Sequence, residues 1–137
     1  DTYTTVMTGT ITPSSTSSHI LMFINVCFSG DEARYANIQV YRDSTKIAQG
    51  DSAGSRTRTT VASNTNGDSD SQHNNFNSSM TFKDSPSSTS ALSYTLRLGS
   101  INAPSSNQIV VNSSGDNVNS SYTMAGISNL ILMEVKG

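Results

Sequence analysis

Two histidines, one cysteine and ten carboxylates are the groups in this 137-residue chain that could carry acid, base, nucleophile or metal chemistry. His19 opens an apolar run, and His73 sits in a polar stretch with no second His or Cys nearby, so the three or four nitrogen and sulfur ligands of a zinc site are not in sight. Asn64, Asn66, Asp68 and Asp70 recur every second residue around Gly67, in the manner of an oxygen-ligand calcium loop. The order is wrong for an EF-hand, which needs glycine after the third ligand and a closing glutamate. A solvated loop is the better reading, and no metal is expected. The carboxylates fall in separate turns, at Asp31 and Glu32, Asp51, Asp68 and Asp70, Asp84, and Asp116. Glycoside hydrolysis needs two of them facing each other across a cleft, and nothing marks such a pair. Tryptophan, the usual sugar platform, is absent, and no Ser-His-Asp order suggests itself. Neither an enzyme nor a cofactor is expected. Arg56 and Arg58 share one strand face, and Arg97 points outward from another strand. They could grip a carboxylated sugar, but three scattered guanidinium groups also suit an ordinary soluble surface. The Asn-X-Ser triplets at Asn77, Asn112 and Asn119 would accept glycans in a eukaryotic secretory pathway, yet so much Asn and Ser produces such triplets by chance.

The elements that would carry these groups follow from composition. The chain holds 26 Ser, 16 Thr and 13 Asn against 13% charged residues. Ser and Asn compete with helix backbone hydrogen bonds, and Thr favours a pleated surface, so the chain reads as all-β. Its length suits one domain, residues 1–137, with a real core. A net charge of −2 gives no basic patch for nucleic acid or an anionic membrane. The longest apolar run, Ile20 to Ile24, is too short for membrane insertion by a helix. No charged leader with an apolar core is present, and Asp1 at the start fits a processed or excised piece. Cys27 is alone in an apolar strand and reads as a small buried hydrophobe.

Alternation of apolar and polar residues, broken by Pro, Gly, Asn and Asp clusters, predicts eight or nine short strands. They cover Tyr3 to Ile11, His19 to Ser29, Ala36 to Arg42, Lys46 to Ala48, Arg56 to Ser63, Phe76 to Phe82, Ser90 to Leu98, Gln108 to Asn112 and Ile127 to Val135. That spacing is the pattern of an antiparallel β-sandwich of jelly-roll type. Two strands break the rule of one apolar and one polar face. In the second, Ile20, Met22, Ile24, Val26 and Phe28 oppose Leu21, Phe23, Asn25 and Cys27. In the last, Ile127, Ile131, Met133 and Val135 oppose Leu130 and Leu132. If the two lie side by side in one sheet, Leu21, Phe23, Leu130 and Leu132 would form an outward patch. Each would lose roughly 1.5–3 kcal/mol if left in water, so a homo-oligomer with these four residues at its interface is expected. The competing expectation is that Tyr3 to Ile11 folds over them. The polar loops Gly50 to Ser55, Asn64 to Asn75 and Ser113 to Ser121 are surface loops, and Asn66, Asp68, Asp70, His73 and Asn117 are their candidate receptor-facing residues.

Three stretches carry a resemblance. They are Ile11-Thr12-Pro13-Ser14-Ser15 leading through a serine run into His19-Ile20-Leu21; Asp84-Ser85-Pro86 ahead of a strand centred on Tyr94; and the ending Ile127-Ser128-Asn129-Leu130-Ile131-Leu132-Met133-Glu134-Val135. From Thr10 to Val135 the chain resembles small jelly-roll structural proteins of tailed bacteriophages, notably of marine and cyanobacterial phages. His19 stands where the family usually has lysine or arginine. The resemblance implies a non-enzymatic protein of the virion surface, on tail or capsid. It implies a fibre head for host attachment, a homotrimer that meets bacterial surface glycans and other virion proteins. The alternative it leaves open is a capsid decoration, or cement, protein that stabilises the head shell.

Overall fold

The computed structural model describes residues 2–30, 35–63, 75–101, 109–115, 118–121 and 123–137. They form nine strands: β1 (Thr2–Ile11), β2 (His19–Gly30), β3 (Ala36–Arg42), β4 (Thr45–Ile47), β5 (Val61–Ser63), β6 (Phe76–Asp84), β7 (Leu92–Ser100), β8 (Ile109–Val111) and β9 (Asn129–Val135). All their pairings are antiparallel. The wider sheet runs β1-β7-β3, with β4 and β5 both on the far side of β3. In the narrower sheet β2 is central, with β6 along one side and β9 and β8 end to end along the other. The chain crosses between sheets at β1 to β2, β2 to β3, β5 to β6, β6 to β7 and β7 to β8. This is the all-β, jelly-roll-type sandwich that the turn spacing predicts.

Side chains at every second position build the core. Ile20, Met22, Ile24, Val26 and Phe28 from β2 meet Leu92, Tyr94, Leu96 and Leu98 from β7 and Ile38 and Val40 from β3, none more than 6% exposed. Burying each of the large side chains stabilises the fold by roughly 1.5–3 kcal/mol. A polar pin joins the sheets at one end. The Arg42 guanidinium donates to both Asp84 oxygens at 2.9 and 2.8 Å, and the Tyr94 hydroxyl donates to Asp84 Oδ2 at 2.7 Å. Burial, then the hydrogen bond to Asp84, pushes the Tyr94 phenol well above its ordinary pKa.

One expected strand is shorter than its pattern, and one outward row is covered. The strand expected from Arg56 to Ser63 is ordered as a ladder only over Val61–Ser63, opposite Ala36–Ile38. Arg56, Thr57 and Arg58 are exposed, because Val61 is the one large apolar side chain there that gains from pairing. Asn37 and Gln39, on the outward face of β3, are nevertheless buried at 2% exposure. The chain before β5 folds back over them. The Thr59 hydroxyl donates to the Ile38 carbonyl at 2.7 Å, Thr60 N donates to the same carbonyl at 2.9 Å, and the Tyr3 hydroxyl donates to Asn37 Oδ1 at 2.9 Å.

Candidate interaction face

Residues directly opposite in an antiparallel ladder share a face, so the pairings of β2 fix the outward surface of the narrow sheet. Leu21 stands between Lys83 and Met133, Phe23 between Thr81 and Ile131, and Asn25 between Ser79 and Asn129. Leu21, Phe23, Ile131, Met133 and Val135 thus make one apolar stripe. Phe23 is 37% exposed, Ile131 54%, Met133 46% and Val135 40%, while Leu21 is half-buried.

Leu130 and Leu132 do not belong to this stripe. They pair with Ile24 and Met22 and pack inward on the core, which reverses the parity expected for the last strand. Their room comes from Gly9 on β1: a Cβ there would lie 3.0 Å from Leu132 Cδ1 and 3.4 Å from Leu130 Cδ2. Glu134 shares their phase and suggests a solvent face. It lies at the rim, where Oε1 accepts from Ser14 N and Ser14 Oγ, each at 2.7 Å. The Ser18 hydroxyl foremost, then Ser14, hold its carboxyl below the ordinary carboxylate range. The outward members Ile131, Met133 and Val135 were therefore not separable by sequence from the inward ones. A strand apolar on both faces lacks the polar mark by which parity is read.

Tyr3 to Ile11 does not cover the stripe. As β1 it pairs with β7 in the other sheet, and its contact with β9 is on the inner side, through Gly9. Past Phe23 the stripe gives way to amides and hydroxyls. Ser79 Oγ donates to Asn25 Oδ1 at 2.9 Å, and Asn25 Nδ2 donates to the Ile127 carbonyl at 3.4 Å. A shallow groove of about 400 Å³ runs along this boundary, lined by Phe23, Ile24, Asn25, Ser79, Met80, Thr81 and Asn129. Its chemistry is hydrogen bonding beside one aromatic ring, with no titratable group in the lining.

The remaining half of the outward face of β2 is covered by the chain itself. Asn112, at φ 63°, turns the chain out of β8, and the segment that follows returns over Cys27. Asn112 N donates to the Cys27 carbonyl at 2.9 Å, Cys27 N to Ser128 Oγ at 2.9 Å, and Ser128 Oγ to Asn112 Oδ1 at 2.6 Å. Gly126 lies so close that a Cβ there would collide with Cys27 Sγ. Cys27 is 4% exposed as a result.

Other candidate residues are dispersed. His19 Nδ1 is 2.9 Å from Ser85 Oγ. The Arg97 guanidinium stacks on Tyr41, 4.0 Å from the ring centre, while Arg58 Nε donates to the Gly50 carbonyl at 2.7 Å. Among the described residues no three His, Cys, Asp or Glu side chains group as metal ligands do. Asn66, Asp68, Asp70, His73 and Asn117, like the calcium-type series from Asn64, lie outside the described residues. No protein-family model matches the chain, and a search of the curated proteins finds no match.

Proposed function

We propose that this chain is a non-enzymatic surface protein of a bacteriophage particle, the head domain of a fibre that makes contact with the bacterial host. The observation that carries the reading is the contiguous apolar stripe of Leu21, Phe23, Ile131, Met133 and Val135, apart from which Tyr35, Val118, Met124 and Ile127 are the exposed large apolar side chains among the described residues. A patch of this kind marks a contact surface, and repeated parts of a particle cover such patches with neighbouring copies. The sandwich supplies a rigid scaffold. Its hydroxyl- and amide-rich loops, such as the exposed Gly50 to Ser55, offer short hydrogen-bonding groups to bacterial surface glycans, and copy number multiplies contacts that are weak one at a time.

Antibody labelling of the particle, with adsorption competition by the purified protein, tests this. Label at the fibre tips, stained host cells and slowed adsorption are the expected results. Label spread over the capsid lattice, with no effect on adsorption, would overturn the fibre reading in favour of shell decoration.

A further inference from the structure

Each sheet of the sandwich ends in strands whose outer side has no ladder partner among the described residues: β1 and the pair β4 and β5 in the wide sheet, β6 and the end-to-end pair β8 and β9 in the narrow one. A bare edge presents a row of N–H and C=O groups to any passing strand. Proteins blunt such edges with short strands, bulges and lysines. Three of the four edges here are blunted. β4 and β5 are three residues long. The ladder of β1 shifts register between Thr5 and Met7. β6 carries Lys83 outward, in one row with exposed Asn77, Ser79 and Thr81.

β9 has none of these devices. Its seven residues, NLILMEV, contain no proline, glycine or lysine, and its ladder with β2 runs without a shift from Asn129 to Val135. Its one charge, Glu134, is occupied by Ser14. The open fractions of Phe23, Ile131, Met133 and Val135 amount to on the order of 300 Å² of apolar surface, the size of the largest patch on an ordinary monomer, which is often a functional one. Directly beneath, Val6, Met7 and Ile11 of β1 are only partly buried, so the seam between the sheets is open along the same side.

We propose that the free edge of β9 takes the β9 of a second copy, antiparallel about a two-fold axis, so that two narrow sheets become one. A strand added here must be apolar on both faces. Among the described strands β2, β8 and β9 are; β8 has only three residues, and β2 already has neighbours on both sides. Centred on Leu132, the pairing sets that residue opposite its own counterpart on the inner face. Ile131 then stands opposite the second copy's Met133 on the outer face. The stripe continues unbroken across the junction from one Phe23 to the other, and the open seams beside β1 meet. The contact is isologous and closes at two copies, unlike the three-fold arrangement that the phage resemblance implies. It shares with the proposed function only the premise that copies of this chain meet.

Sedimentation equilibrium of the whole chain, combined with amide hydrogen exchange resolved along β9, tests the pairing. Two copies are expected. The β9 amides directed away from β2 are protected at high concentration and lose at least about tenfold of that protection on dilution to monomer. Ile131→Lys places a charge on the outward row of the edge and weakens association by about tenfold or more. If circular dichroism shows that variant unfolded, Met133→Lys provides the same reading. A trimer, or any assembly whose outward β9 amides exchange as fast as those of loops, overturns edge pairing and leaves the particle reading standing. A monomer at all concentrations overturns both.

Discussion

The two halves of β2 face the same side of the same sheet and meet different fates. From Val26 to Gly30 the outward surface is roofed by the segment between β8 and β9, and Cys27 keeps 4% of its surface. From His19 to Asn25 there is no such roof among the described residues, and Phe23 keeps 37%. The covered half shows that this chain can hide the outward Cys27 and Ser29 with its own backbone, using one glycine and one serine to come close to the thiol. The bare half leaves Phe23 beside Ile131 and Met133 with an extended strand along its flank. The difference teaches that along β2 itself exposure is confined to the stretch that β9 accompanies, while over the other half the roof replaces it with its own exposed Met124 and Ile127.

Three substitutions or conditions would break or sharpen that contrast. The largest effect is expected at the pin beneath the bare half, where Asp84 is opposite Ile20. Asp84→Ala leaves a mostly buried Arg42 and the Tyr94 hydroxyl without their acceptor. It should cost about 3 kcal/mol, the low end for a broken buried pair, because the Arg42 side chain retains 24% exposure. Urea denaturation measures this, and a loss within error of zero would mean that the pin is dispensable. On the covered half, Gly126→Val drives a side chain into Cys27 and should cost about 1–2 kcal/mol by overpacking. A variant as stable as wild type would show that the roof is only loosely laid. The smallest effect is the acid response of Glu134, which ties the end of β9 to Ser14. Its folded pKa is lowered, so its stabilisation is present above the ordinary carboxylate range and is lost as pH falls through the folded value. Comparing urea midpoints at pH 7 and pH 3 in wild type and Glu134→Gln isolates it. The substitution should flatten part of the acid slope, and parallel slopes would refute the tether.

Much of the architecture was legible because single-faced strands announce themselves. Leu92, Tyr94, Leu96 and Leu98 alternate with Ser93, Thr95 and Arg97, and β7 buries the first set. Ala36–Arg42 begins and ends where its alternation does. The side-by-side placement of β2 and β9, a condition the sequence could only pose from the jelly-roll topology, is met over His19–Asn25 and Asn129–Val135. What that pattern could not supply was parity in β9. The inward place of Leu130 and Leu132 depends on Gly9 in a strand more than a hundred residues earlier in the chain, and on a rim position for Glu134. Both are tertiary facts. The burial of Asn37 and Gln39 escaped for a similar reason: polar side chains in an outward phase read as solvent-facing until Thr59 and Thr60 are known to fold back on them. The roof over Cys27 rests on hydrogen bonds of Ser128 and Asn112, residue types too abundant in this chain for any one to stand out.

Cys27 turns the roof into something that can be timed. A thiol reagent reaches this sulfur when its cover lifts, the segment carrying Gly126 on one side and the Asn75 side chain on another, so the labelling rate of the native protein reports how often that cover breathes. Because it is the sole thiol in the chain, the signal needs no engineered background, and the same clock can be read before and after the opposite end of the strand is occupied.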